Sequence, residues 1–292
     1  MGSMLDGMLS FWPSIVLLSI VQGALVALPA PLRGERLARL RSGRWALIPP
    51  LSVIGFVFIT RAAENASADG LTYLALVCVP VLAALALGVL ARGARGAAAL
   101  LVIPLFALAW ADPGDLPGQA AALALTGLSC VSLGVLLATV TPPRWLAWGI
   151  VLMALADAAL VTADLLQGPN DALNAAHPAA GLPRLQSAAL GSAVMGYGDL
   201  FIAAALGALL ASELGLAEQL RAAVLVAALA LLFDLLFLAI DELPATVPVA
   251  LALMVVLVSR RRRGLQPLPS AAAPSRRLRP PRADPVRPPL AP

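Results

Sequence analysis

Nine apolar runs, at about 11–31, 45–63, 71–91, 97–111, 119–141, 145–166, 187–212, 221–240 and 244–259, leave few folds open to this chain. A membrane-crossing helix needs roughly 20 apolar residues at 1.5 Å rise, with tolerance to about 17. Most of the runs meet that length, and the fourth and ninth fall slightly short of it. Composition agrees: 60% of the 292 residues are hydrophobic and 12% are charged. Soluble domains carry about 45–50% apolar and about 25% charged residues, so an ordinary soluble enzyme is excluded. The apolar content also excludes a disordered chain. The expectation is an all-α membrane protein with nine transmembrane helices. The first run is too long, and Met1 to Ser10 too poor in positive charge, for a secretory leader.

The arginines set an orientation. All 20 basic residues are Arg, which suggests a GC-rich bacterial coding sequence and hence a bacterial plasma membrane. One alternate set of loops holds Arg33, Arg36, Arg39, Arg41 and Arg44, then Arg92 and Arg95, Arg144, Arg221, and Arg260 to Arg263. The other set holds Glu64, Asp69, Asp112, Asp115, Asp171, Asp241 and Glu242, with only Arg61 and Arg184 as bases. The positive-inside rule makes the first set cytoplasmic, which places the N-terminus outside and the C-terminus inside. The basic character is therefore a topology signal and not a nucleic-acid surface. Three regions follow: five helices over 1–144, four over 145–259, and a disordered, basic, Pro-rich cytoplasmic tail over 260–292.

Rare residues narrow the chemistry. Cys78 and Cys130 each lie inside an apolar run and give neither a disulfide framework nor a metal motif. His177 is the only histidine and sits in a polar loop. Zinc ligand spacing is missing, so no metal or organic cofactor is expected. Chemistry is left to carboxylates, hydroxyls and the backbone.

Acids inside spanning runs are functional candidates, because each costs about 2.5–3.5 kcal/mol to insert at a helix centre. Asp157 lies nine residues before the outer end of the sixth run, roughly 14 Å deep. Asp199 lies twelve residues into the seventh, roughly 18 Å deep from the same side. Consecutive antiparallel helices would bring the two to nearly one level. Asp234 should sit about 9 Å from that surface, and Asp164 lies nearer a helix end. Two carboxylates facing each other in low dielectric cannot both ionise, so the pair shares a proton. That state suits water activation by one acid and carbonyl protonation by the other. It equally suits a proton path, or acids bonded to neighbouring hydroxyls. Gly196 and Gly198 precede Asp199 and would admit a close-lying extended backbone. Pro244 and Pro248 interrupt the start of the last run, where unpaired backbone could hold an unwound peptide by strand addition.

The pattern resembles the GxGD intramembrane aspartyl proteases, in particular the presenilin and signal peptide peptidase family. That family has nine spans, an Asp in the sixth, GxGD in the seventh and a PAL motif before the ninth. Here Asp157 ends Ala154-Leu155-Ala156-Asp157, GYGD stands at 196–199, and Pro244-Ala245-Thr246 holds the PAL place. Gln167-Gly168-Pro169 also looks like the presenilin sequence after its first aspartate. The resemblance covers about 145–258. It implies a presenilin-like bundle, Asp157 and Asp199 as the catalytic pair, and Gly196, Tyr197, Gly198, Pro244, Ala245 and Thr246 as substrate-binding or site-supporting residues. It implies transmembrane helices or signal peptides as substrates, and the orientation matches signal peptide peptidase, hence type II substrates. The family's YD is Ala156-Asp157 here, and PAL has become PAT. Prepilin peptidases offer a second register: their GxGD is followed by lysine, where this chain has Leu200-Phe201, and Asp164 would be their first acid. A proton-coupled carrier using Asp157, Asp199 and Asp234, or an inactive homologue, stands as the alternative.

Overall fold

A computed structural model describes residues 2–32, 37, 39–62, 64–176, 178–239, 243–265 and 268. His177, Asp241, Glu242 and most of the C-terminal tail lie outside the described residues. The described chain forms ten α-helices and one β-hairpin. In order these are α1 (Gly2–Ala27), α2 (Ile48–Ala62), α3 (Glu64–Leu85), α4 (Val102–Ala111), α5 (Leu116–Val140), α6 (Pro143–Thr162), α7 (Gln167–Ala175), β1 (Ser187–Leu190), β2 (Ala193–Gly196), α8 (Tyr197–Glu213), α9 (Leu216–Asp234) and α10 (Val247–Arg262). Short 3-10 turns precede α2 and α4, and a π-turn over Ala86–Leu90 extends α3.

Among the described residues, five helical segments are long and apolar enough to cross a membrane: Gly43–Ala62, Ser67–Leu90, Leu116–Val140, Pro143–Thr162 and Leu216–Leu238. Phe11–Ala27 and Gly96–Ala111 are shorter apolar helices. Large side chains on the outer helices, among them Phe58, Ile59, Val77, Val81 and Ile103, are more than half exposed. A continuous apolar exterior of this kind accords with a membrane protein, since water would not tolerate patches so large.

One expected element is different. The seventh run, expected as a single helix over 187–212, opens instead as an antiparallel hairpin pairing Ser187 with Gly196 and Leu190 with Ala193. Gly191 makes the turn with φ 58°, and burial alternates along both strands, between half-buried and buried in β1 and between buried and exposed in β2. Alanine, valine, leucine and methionine are apolar in either state, so hydropathy alone did not separate strand from helix. Two strands cannot satisfy their outer edges alone in hydrocarbon. Accordingly the hairpin packs on α5 and α1.

The rest of that run, α8, is the centre of the bundle. Every residue from Leu200 to Ala211 is buried, the mark of a helix surrounded by protein on all sides. Small residues allow its close neighbours. A Cβ on Gly134 of α5 would lie 2.7 Å from the Ala204 carbonyl carbon, and one on Gly207 would strike the Val26 backbone of α1. Close backbone approach through small residues is the usual contact between membrane helices. These contacts seat helices from 1–144 directly on helices from 145–259.

At the opposite end from the hairpin, α1, α3 and α9 meet around Gln219. Its buried amide donates to the Val26 carbonyl at 2.8 Å and the Pro29 carbonyl at 3.0 Å, and accepts from Arg92 at 2.6 Å. Leucine at 219 would leave three polar groups without this partner. Gln219→Leu is therefore expected to lower stability by about 2–3 kcal/mol, read as a lower thermal unfolding midpoint in detergent. An unchanged midpoint would mean that these groups find other partners.

Candidate active site

Helix α6 starts at Pro143, whose fixed φ suits the first helical turn. It carries Asp157 five residues before its last residue, Thr162. Asp157 is 7% exposed. Its Oδ2 accepts a hydrogen bond from the Thr246 hydroxyl at 2.6 Å. Thr246 is fully buried and immediately precedes α10.

Asp199 reaches the same place from α8. It is the third residue of that helix, and not twelve residues into a continuous span, because the hairpin replaces the first turns of the expected helix. Its Oδ2 accepts from the Gly196 N–H at 3.1 Å. A carboxylate in the first turn reaching back to the preceding N–H satisfies a donor that the helix leaves unpaired, and it meets the positive end of the helix dipole. Asp157 and Asp199 interact electrostatically. Two chain-distant acids from α6 and α8 therefore form one site, with the Thr246 hydroxyl on Asp157 and the Gly196 N–H on Asp199.

Tyr197 and the two glycines shape the approach to Asp199. The Ser129 hydroxyl of α5 donates to the Thr126 carbonyl at 2.6 Å, so the Tyr197 hydroxyl is the donor in its 2.8 Å bond with Ser129. The Cys130 thiol lies 3.8 Å from the Tyr197 carbonyl, a weak donor contact. Gly196 is exposed, in extended conformation at φ −66° and ψ 149°. A Cβ there would stand 3.0 Å from Asp199 Oδ2. On Gly198 the nearest atom would be the terminal methyl of Met153, at 3.4 Å, an ordinary contact.

The segment before α10 is irregular but not unpaired as expected. The Pro244 carbonyl accepts from Val247 N–H, the Thr246 carbonyl from Ala250 N–H, and the Ala245 carbonyl from the Gln22 side chain at 2.8 Å. Proline removes donors, so these acceptors are met from the following turn and from a neighbouring helix.

The other acids have separate surroundings. Asp164 is exposed just past the end of α6, in the left-handed region at φ 52°. Asp234, the last residue of α9, is buried and accepts from the Ser19 hydroxyl of α1 at 2.7 Å. Both cysteines are free thiols. Among the described residues no cluster of three or more His, Cys, Asp or Glu side chains could hold a metal ion.

Sequence reasoning missed Ser19, Gln22, Ser129 and the hydroxyl role of Thr246. Gln22 had a signal: it is the only amide side chain in the apolar run 11–31. Its partner, more than 200 positions away, had none. No family model, curated protein or solved structure matches the chain.

Proposed function

We propose that this protein is an intramembrane aspartic endopeptidase of the presenilin and signal peptide peptidase kind, cutting transmembrane or signal-peptide helices. The observation that carries the reading is the meeting of Asp157 and Asp199, from α6 and α8, inside a bundle of apolar helices. Nine spans are proposed by adding α1, α4 with its 3-10 turn, α8 with its hairpin, and α10 to the five long apolar segments. The arginine pattern orients them with the N-terminus outside.

In the proposed reaction a water between the acids is deprotonated by the ionised carboxylate as its oxygen attacks the scissile carbonyl carbon. The protonated carboxylic acid gives its proton to the carbonyl oxygen, forming a neutral diol. Breakdown returns one diol proton to a carboxylate, breaks the C–N bond and delivers the other carboxyl's proton to the leaving nitrogen. No metal takes part. A helical substrate must unwind first, because its carbonyls are bonded within the helix. The exposed, extended Gly196 supports this step, since it leaves room for a substrate backbone where the chain enters α8.

The test is cleavage of a reporter transmembrane peptide by the purified protein in detergent, with products mapped by mass spectrometry. Cuts inside the apolar segment support the proposal. A folded protein inert toward several such peptides, and carrying a pH-driven flux in liposomes that depends on Asp234, would replace it with the carrier.

The glycines give a second expectation. Gly196→Ala displaces the Asp199 carboxylate, whereas Gly198→Ala meets only a flexible methyl. Gly196→Ala should lose about tenfold to a hundredfold in kcat, and Gly198→Ala much less. The reverse order in the peptide assay would show that room for substrate, and not the seat of Asp199, is what position 198 protects.

A further inference from the structure

We infer that Thr246 is a positioning residue for Asp157, set in place by Gln22 of α1; this rests on Asp157 and Asp199 being the catalytic pair. A carboxylate can turn about its bond to Cβ, and a water held between two acids requires that it does not. The Thr246 hydroxyl has one proton, and that proton goes to Asp157 Oδ2 at 2.6 Å. This is the length of a charge-assisted O–H···O bond. One carboxylate oxygen is thereby fixed, and with it the orientation of the whole carboxylate. Thr246 is β-branched and fully buried, so its own rotamer is restricted.

The backbone bearing that hydroxyl is held from outside its own helix. Gln22 is fully buried on α1, and its amide donates to the carbonyl of Ala245, the residue before Thr246. Its Oε1 has no hydrogen-bond partner among the described residues. A half-satisfied amide in an apolar bundle is costly compared with leucine, so packing alone does not account for it. Ser19, one turn earlier on α1, donates to Asp234 at the end of α9. Helix α1 thus grips both sides of the α9–α10 connection, and the grip passes through Ala245 and Thr246 to Asp157.

The experiment compares Thr246→Val, which keeps shape and removes the donor, with Thr246→Ser, which keeps the donor and removes a methyl. Thr246→Val is expected to lower kcat by about tenfold to a hundredfold with little change in KM. Thr246→Ser should recover most of that loss. Gln22→Leu should lower kcat as well, and the Gln22→Leu, Thr246→Val double variant should be hardly worse than Thr246→Val alone. If Thr246→Val keeps full kcat while Thr246→Ser loses it, the side chain serves packing and the inference is overturned.

Infrared difference spectroscopy on the same proteins needs no turnover. The carboxyl or carboxylate stretching band that Asp157→Asn removes should move in Thr246→Val and return in Thr246→Ser. A band unmoved in Thr246→Val overturns the inference whether or not any peptide is cut. A band that moves as expected in a protein that cuts nothing supports the hydroxyl's hold on Asp157 and counts against the endopeptidase.

Discussion

Asp157→Asn and Asp199→Asn should each leave a folded protein that no longer cuts its reporter peptide. Asparagine keeps the shape of aspartate, and its Oδ1 can still accept the Thr246 hydroxyl or the Gly196 N–H that now hold the acids. What it loses is the exchangeable proton. One acid must take a proton from water while the other supplies one, so removing either stops both halves of the exchange. The expected loss is about 10²–10⁴-fold for each single variant, and the double variant should be no worse than either, as for groups that act as one unit. Asp164→Asn serves as the comparison, because Asp164 is exposed beyond the end of α6. It should cut normally. A dead Asp164→Asn beside an active Asp157→Asn would move the first acid to the prepilin-peptidase register and undo the pairing argued above.

How much of this was legible in the sequence differs from element to element. Long apolar runs in which helical length and hydropathy coincide, such as 119–141 and 145–166, gave helices close to the expected bounds, α5 and α6. The run 187–212 did not, because its first ten residues are apolar enough for a helix yet alternate in burial as strands do. The signal for the strands was present in Gly191-Ser192, a turn pair flanked by short apolar stretches, and the surrounding hydropathy hid it. Helix α7, over Gln167–Ala175, went unforeseen because its residues are polar and its proline suggests a loop. That Asp157 and Asp199 meet was readable from their placement on consecutive antiparallel elements, even though the depth assigned to Asp199 assumed helix where there is hairpin. The hold on Asp157 was not readable. Thr246 is 89 positions from Asp157 and Gln22 is 223 from Ala245, and only the packed bundle brings such residues together.

That packing rests on glycines, and the largest stability effect is expected where one of them meets backbone. A methyl on Gly207 would strike the carbonyl oxygen of Val26 and lie 2.8 Å from its carbonyl carbon and Cα. Backbone atoms cannot turn aside as a side-chain end can, so α1 must move off α8. Gly207→Ala should lower stability by about 1–3 kcal/mol, roughly 2–4 °C in unfolding midpoint per kcal/mol for a chain somewhat smaller than this one. Gly55→Ala on α2 is the control: nothing lies within 4 Å of its Cβ position, and alanine is the better helix former by about 1 kcal/mol. It should be neutral or stabilising. The consequence for activity follows from the same movement, because Val26 stands one turn from Gln22 on α1. Displacing α1 loosens the bond from Gln22 to the Ala245 carbonyl, and with it the seat of Thr246. Gly207→Ala should therefore lose kcat well below its unfolding temperature, although position 207 is two helical turns from Asp199. If it unfolds early but cuts at the full rate when folded, α1 supports the bundle without supporting the acids.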